Sequence, residues 1–487
     1  MNITPIEIIA YLIPIAVWAL VIGITLRLMV KKQSVSATIS WLMVIYLLPV
    51  VGILAYLIFG EITLGRKHQQ ATQTLQPKYM EWFKQVSECE HLINKPANLA
   101  YSAIFDLTRK RLNIPCIIGN ELHILDTPKT IIHSIINDIK KATQSINMVF
   151  YIWAEDGMVN EVMNALIEAR KRGVSVRILL DSVGSHRFLA SSECQYMREN
   201  GIEITEALHA NLFRMFFHRI DLRQHRKIIV IDNQIAYTGS MNMVDPKFFK
   251  QSSNVGNWVD IMVRINGPVA PILNSLHAWD WEIETDEALQ VVLPECPLLP
   301  IEMHNSHAVQ ILATGPGFPD DLMPQSLSLA IFSARQSIVI TSPYFVPDHT
   351  VVEALRIAAL RGIEVSLILP KKNDSLMVEW ASRIFFDELL AASVKIYLFE
   401  KGLLHTKSVL IDNTLALVGT VNMDMRSFML NFEVTMIVDD KNFANEVNIL
   451  HEGYIASSSI LRYEEWITRP VYHRIIERIF FLFSPLL

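Results

Sequence analysis

Apolar residues run almost unbroken over 3–26, where Glu7 is the single charge, and over 38–59, which carries none. Each run exceeds the ~20 residues a helix needs to cross a ~30 Å hydrocarbon core, so a hairpin of two transmembrane helices is predicted. Trp18, Trp41, Tyr46 and Tyr56 suit interfacial anchoring. No small-residue cleavage site follows the first run, and the second begins after only eleven residues, which argues against a secretory signal. Arg27, Lys31 and Lys32 favour a cytoplasmic loop between the spans, while Arg66 and Lys67 past the second span pull the other way.

The pattern then changes. Residues 61–118 carry mixed charge, with helical spacing around Tyr79–Val86 and Ala100–Leu112, and read as a connector packed on the body of the chain. From about 119 helical and strand periods alternate: helix Ile131–Thr143, strand Ile146–Trp153, helix Val159–Arg172 ended by Gly173, strand Val174–Asp181. The alternation returns as helix Leu327–Ala334, strand Ile338–Thr341, helix Val351–Arg361 ended by Gly362, and strand Glu364–Leu369. Short strands, Ile202–Thr205 and Val394–Leu398, precede the closing motif of each half. Pro294, Pro297 and Pro300 mark a linker over 294–305. The expected organisation is therefore a membrane hairpin (1–65), a connector (66–118) and two similar α/β lobes (119–298 and 299–487).

One spelling closes both halves. His225-Arg-Lys227-Ile-Ile-Val-Ile-Asp232 runs on to Gly239-Ser240-Met-Asn242, and His405-Thr-Lys407-Ser-Val-Leu-Ile-Asp412 to Gly419-Thr420-Val-Asn422; every matched pair is 180 residues apart. A single H-x-K is a weak signal, but two copies agreeing at several further positions are a strong one. Residues two apart on a strand share a face, so His225 points with Lys227 and His405 with Lys407. An ammonium beside an imidazole suits a phosphate: the lysine holds its oxygens, and the histidine is a nucleophile or acid/base near neutral pH. Ser240, Thr420, Asn242 and Asn422 add hydroxyls and carboxamides. Asp232-Asn233 and Asp412-Asn413 are turn signals, so these aspartates either orient a neighbour or simply form the turn. Asp260 in Trp258-Val-Asp-Ile and Glu433 in Phe432-Glu-Val-Thr are carboxylates on otherwise apolar strands, where each needs a partner.

The doubled pattern resembles the signature of the phospholipase D superfamily. The surrounding text is similar to the bacterial cardiolipin synthases: Asp221-Leu-Arg-Gln-His225-Arg-Lys227, Tyr237-Thr-Gly-Ser-Met-Asn-Met-Val-Asp245-Pro246, Ser342-Pro-Tyr-Phe-Val-Pro347 and Gly402-Leu-Leu-His405-Thr-Lys407. With the paired apolar segments and the Phe-Ser-Pro-Leu-Leu end, the likeness spans essentially the whole chain; Thr420, where the first copy has Ser240, is a small departure that keeps the hydroxyl. It implies two pseudo-symmetric α/β lobes around one phosphate, with His225, Lys227, Asp232, His405, Lys407 and Asp412 as the catalytic sets. It further implies that Asn242, Asn422, Ser240 and Thr420 hold the phosphate, and that Asp260 and Glu433 hydrogen-bond the imidazoles. The implied reaction joins two phosphatidylglycerol molecules into cardiolipin and glycerol through a phosphatidyl-histidine. Lys and Asn would there do the work of metal ions, so no metal or other cofactor is expected. Phosphatidylglycerol and other anionic phospholipids are the implied partners, and a multi-pass place in the bacterial inner membrane the implied location. A hydrolytic phospholipase D, a phosphatidylserine-type synthase and a non-catalytic membrane-anchored binding protein are the alternatives.

Composition sharpens this picture. Mean hydropathy of +0.28 and 51% hydrophobic residues agree with membrane segments. A net charge of −6 disfavours a nucleic-acid partner, and with it a nuclease. Cys89, Cys116, Cys194 and Cys296 form no C-x-x-C pair and suggest neither zinc nor a disulfide framework. Leu212-Phe-Arg-Met-Phe-Phe-His-Arg219 reads equally as an anionic-lipid entry path and as a buried aromatic turn. Because this basic stretch leads into His225, that histidine is the expected nucleophile and His405 the expected acid. The apolar end, Ile479–Phe483 with Leu486 and Leu487, either rests on a bilayer or docks on the body.

Overall fold

A computed structural model of the chain describes residues 5–31, 35–60, 66–89, 92–93, 99–209, 221–289, 291, 293 and 307–482. The stretch 212–219, the linker 294–305 and the end from 483 lie outside the described residues. The chain separates into a small N-terminal unit, up to Gln70, and a large one from Ala71 that carries both histidine motifs.

In the small unit, helix α1 (Pro5–Val30) contains Tyr11–Val30, the one segment among the described residues long and apolar enough to cross a membrane as a single helix. The second predicted span is not one helix. It is broken into α2 (Val35–Leu47) and α3 (Pro49–Phe59). Pro49 lacks an N–H and disfavours helical backbone in the residue before it, and Leu48 accordingly sits at φ −134°, ψ 71°. At ~1.5 Å per residue the two pieces are about 20 and 16 Å long, each short of a hydrocarbon core. Gly52 makes the break possible, since a Cβ there would lie 2.6 Å from the Ile45 Cα. Val21, Ile24 and Leu28 of α1 pack with Ile45, Ile53 and Tyr56.

Helices Arg66–Ser87 and Ser102–Leu112 come next in the chain, over the two stretches of helical spacing. Tyr79 stacks on Trp279, and Lys78 pairs with Glu282 at 2.6 Å, docking the first helix on helix Ala270–Thr285. The strands of the first half are β1 (Ile117–Leu125), β2 (Ser145–Phe150), β3 (Ser175–Asp181), β4 (Glu203–Ala207), β5 (Arg223–Gln224), β6 (Ile228–Ile231), β7 (Ile235–Gly239), β8 (Trp258–Val259) and β9 (Met262–Asn266). Those of the second are β10 (His307–Thr314), β11 (Ser337–Thr341), β12 (Phe345–Val346), β13 (Glu364–Pro370), β14 (Lys395–Phe399), β15 (Leu403–Leu404), β16 (Ser408–Ile411), β17 (Leu415–Gly419), β18 (Met423–Asp424), β19 (Asn431–Asp439) and β20 (Ser458–Leu461).

In the first half the sheet runs β1-β9-β7-β6-β2-β3-β4, and in the second β10-β19-β17-β16-β11-β13-β14, with β20 outside. Antiparallel pairing of β1 with β10 joins the two runs into one sheet. β1 has no counterpart in the sequence reading, because its exposed Glu121 and His123 interrupt the apolar run. The inner strands β2, β3, β6, β11, β13 and β16 are runs of Val, Ile and Leu, as expected where helices cover a sheet. Helices Pro128–Lys141 and Val159–Lys171 bury their apolar stripes against the first half, where Ile135, Ile139, Val162 and Leu166 meet Met148 and Ile178.

Candidate active site

The histidines sit just before β6 and β16 rather than on them, in extended segments. Strand-like alternation still holds: Arg226, between His225 and Lys227, turns the opposite way and donates to Asp280 at 2.6 Å, while Thr406 meets the Tyr454 hydroxyl at 3.0 Å. Each segment is anchored by the other half of the molecule. β5 pairs in parallel with β19, and the His225 N–H donates to Phe432 O at 3.0 Å; β15 pairs in parallel with β8, and the His405 N–H donates to Val259 O at 2.8 Å.

This exchange crosses the acids. His225 Nδ1 lies 2.8 Å from Glu433 Oε1, and His405 Nδ1 lies 2.6 Å from Asp260 Oδ1. Each imidazole thus takes its carboxylate from the opposite half. With Nδ1–H given to the carboxylate, Nε2 carries the free lone pair. Both residues line a cavity of about 1010 Å³, together with Asn242 and Asn422. Burial pulls both histidines down to about 4, against the opposing pull of Glu433 and Asp260. Desolvation is the largest cause in each case, so these shifts alone do not distinguish the two histidines.

Lys227 and Lys407 are buried beside them without forming the cavity wall, and their Nζ atoms donate to the carbonyls of His225 (2.8 Å) and His405 (2.6 Å). Desolvation lowers Lys227 to about 8 and Lys407 to about 7. A phosphate anion entering the cavity would stabilise both ammonium forms.

Four residues of the motif lie outside the lining of the cavity, and the two aspartates among them take the turn-forming role that their turn signals left open. The Ser240 hydroxyl donates to Asp260 at 2.6 Å and the Thr420 hydroxyl to Glu433; both side chains are fully buried and each holds an acid. The Asp232 carboxylate accepts the N–H groups of Thr143, Gln144 and Ser145, and that of Asp412 accepts those of Arg335, Gln336 and Ser337. Positive φ at Asp232, Asn233, Asp412 and Asn413 makes tight hairpin turns. These aspartates fasten the β6–β7 and β16–β17 turns to the starts of β2 and β11, and neither is brought to the histidines. Gly239 and Gly419 stand where a Cβ would meet Ile261 O at 2.4 Å and Val434 O at 2.3 Å, which explains the glycine of each motif.

The cavity wall adds residues that spacing could not reveal. Tyr151 packs beside His225 with ring centroids 5.0 Å apart, and Trp258 beside His405 at 4.3 Å. Arg223 and Arg426 line the wall and act on Tyr151. Half-buried Tyr344 donates to Asp374 at 2.8 Å, which Lys250 pairs with at 2.9 Å. Asp424, where the first copy has Val244, is raised to about 6 by burial. Of these, Arg223 and Tyr344 stand in segments that carried the resemblance, Asp221–Lys227 and Ser342–Pro347. Among the described residues no cluster of His, Cys, Asp or Glu could hold a metal ion.

Comparison with known proteins agrees with this geometry. The family model "Cardiolipin synthase, PLD-like domain" matches residues 135–268 and 327–451, and "Phospholipase_D-nuclease N-terminal" matches 15–61. The chain is 47% identical over 480 residues to a cardiolipin synthase A of Yersinia pseudotuberculosis, covering 99% of each chain, and equally to one of Yersinia pestis. In fold it is similar to the phosphatidylserine synthase of Haemophilus influenzae, with a TM-score of 0.57 at 14% identity over 79% of this chain and 100% of that one.

Proposed function

This chain belongs to the bacterial cardiolipin synthases of the phospholipase D superfamily, and we propose that its phosphatidyl transfer runs between two phosphatidylglycerol molecules through a phosphatidyl-histidine. Two pseudo-symmetric lobes supply one histidine each. His225 Nε2 attacks the donor phosphorus as the bond to the departing glycerol oxygen breaks, and His405, which takes up a proton at Nε2 as the anionic donor phosphate binds beside it, gives that proton to the oxygen. His405 then takes the proton of a second phosphatidylglycerol hydroxyl, which attacks phosphorus and releases His225. Cardiolipin and glycerol are the products, and the two displacements replace one difficult step. Lys227, Lys407, Asn242 and Asn422 carry the developing charge. Arg223 and Arg426 on the Tyr151 side favour arrival of the donor phosphate beside His225.

The observation that carries this reading is the crossed pairing, two imidazoles on one cavity, each braced by the other half. On the membrane side, α1 is proposed to cross the bilayer and α2 with α3 to form a return crossing broken at Pro49, in the bacterial inner membrane. The test is product analysis with headgroup-labelled phosphatidylglycerol in mixed micelles. Cardiolipin and free glycerol in equal amounts are expected. Phosphatidic acid as the main product would make the enzyme a hydrolase.

A further inference from the structure

The helix Val471–Phe481 has two unlike faces. Inward, Phe480 stacks on Trp380, Phe481 meets Phe385 edge-on, and buried Glu477 pairs with Arg469 at 2.9 Å. Outward, Val471, Tyr472, Ile475 and Ile479 are exposed, followed by Leu482 at 77% exposure. At ~100° per residue these five fall within a sector about 100° wide. Arg474 and Arg478, both exposed, border one edge of that sector. The helix's only acid is turned inward, so its outer face is apolar and cationic; the exposed Glu464 and Glu465 belong to the separate short helix before it.

The helix that carries this face packs against an element of the cavity wall. The helix packs on Leu376–Ser382, through whose Val378 and preceding Ser375 the cavity wall is built, and exposed Leu376 stands at that helix's start. Phe248 is 58% exposed and lines the same cavity. An apolar stripe edged by arginines matches acyl chains below and lipid phosphates at the level of the guanidinium groups.

We propose that Val471–Leu482 lies in the interfacial plane of an anionic phospholipid bilayer and holds the cavity's mouth against it, so that headgroups reach the histidines without leaving the membrane. The proposal rests on phosphatidylglycerol being the substrate of the cavity. It is tested with the full chain reconstituted in vesicles of phosphatidylglycerol and phosphatidylcholine. Ile475→Glu with Ile479→Glu should raise the apparent KM for vesicle phosphatidylglycerol about tenfold, as expected for charges placed in the interface. Turnover of dispersed short-chain phosphatidylglycerol should stay unchanged, and Ile449→Glu, on an exposed site outside the stripe, should alter neither. A second pair, Arg474→Gln with Arg478→Gln, adds no charge to the stripe and should remove most of the salt sensitivity of vesicle turnover. Wild-type KM in the first pair, or wild-type salt sensitivity in the second, would overturn the proposal. Failure of the wild type on both substrates would instead overturn the function it rests on.

Discussion

In the first half of the large unit His225 faces Tyr151 on a wall that carries Arg223; in the second, His405 faces Trp258, with Asp374 close by and paired to Lys250. Behind these walls the halves repeat strand for strand, and Asp232 and Asp412 fasten equivalent turns. Asn242 Oδ1 accepts the Ile152 N–H at 3.2 Å, whereas Asn422 Oδ1 has no partner among the described residues. Ser240 holds Asp260 where Thr420 holds Glu433. The strand order is repeated and the lining is not. Such a molecule has one site with two unlike sides, and neither half is complete without the acid of the other.

Breaking either side should be nearly total. His225→Ala and His405→Ala should each lower kcat by on the order of 10⁴ or more, because nucleophile and acid act as a unit. Near-normal turnover of radiolabelled lipid in either variant would separate the halves into two sites. Next in size, Glu433→Gln and Asp260→Asn should each cost roughly 10²–10⁴ in kcat with folding intact, since an amide favours the wrong imidazole tautomer. Circular dichroism beside the kinetics checks this.

A pH profile sharpens the comparison. In the proposed mechanism phosphate binding uses both ammonium groups, and burial brings Lys407 down to about 7 and Lys227 to about 8. So kcat/KM, which reports the free enzyme, should fall as pH rises through that range. Lys407→Arg should keep its charge and move the fall toward the Lys227 value; an unmoved profile would assign the limb elsewhere. The smallest effect on chemistry belongs to Asp232→Ala. It should lower unfolding free energy by about 1–3 kcal/mol through unpaired N–H groups at the turn, while kcat per folded molecule stays within about twofold of wild type, as a site away from the reacting atoms allows. Loss of kcat at full stability would return that aspartate to the catalytic set.

Much of this was legible in the sequence, for identifiable reasons. The apolar runs and helical spacings of both halves set β2, β3, β11, β13 and the helices between them within a few residues. The 180-residue repeat marked both histidines, and Asp260 and Glu433 stood out as acids on apolar strands. What spacing cannot carry is long-range pairing: β5 on β19 and β15 on β8 depend on two-residue strands far apart in sequence. Hence the crossing of the acids was not foreseeable, nor the inward turn of Ser240 and Thr420 toward them. The break at Pro49 was legible in principle, yet the composition of 38–59 masked it, because hydropathy does not register a missing N–H.

The crossed assignment is tested most directly with phosphatidyl-p-nitrophenol labelled in the phosphatidyl group, whose leaving group needs no acid. Acid quench followed by peptide mapping locates the covalent adduct. In Asp260→Asn, where only His405 loses its acid, label should build up on the peptide that contains His225; in Glu433→Gln it should not. Label on the His405 peptide, or build-up in Glu433→Gln instead of Asp260→Asn, would contradict the account.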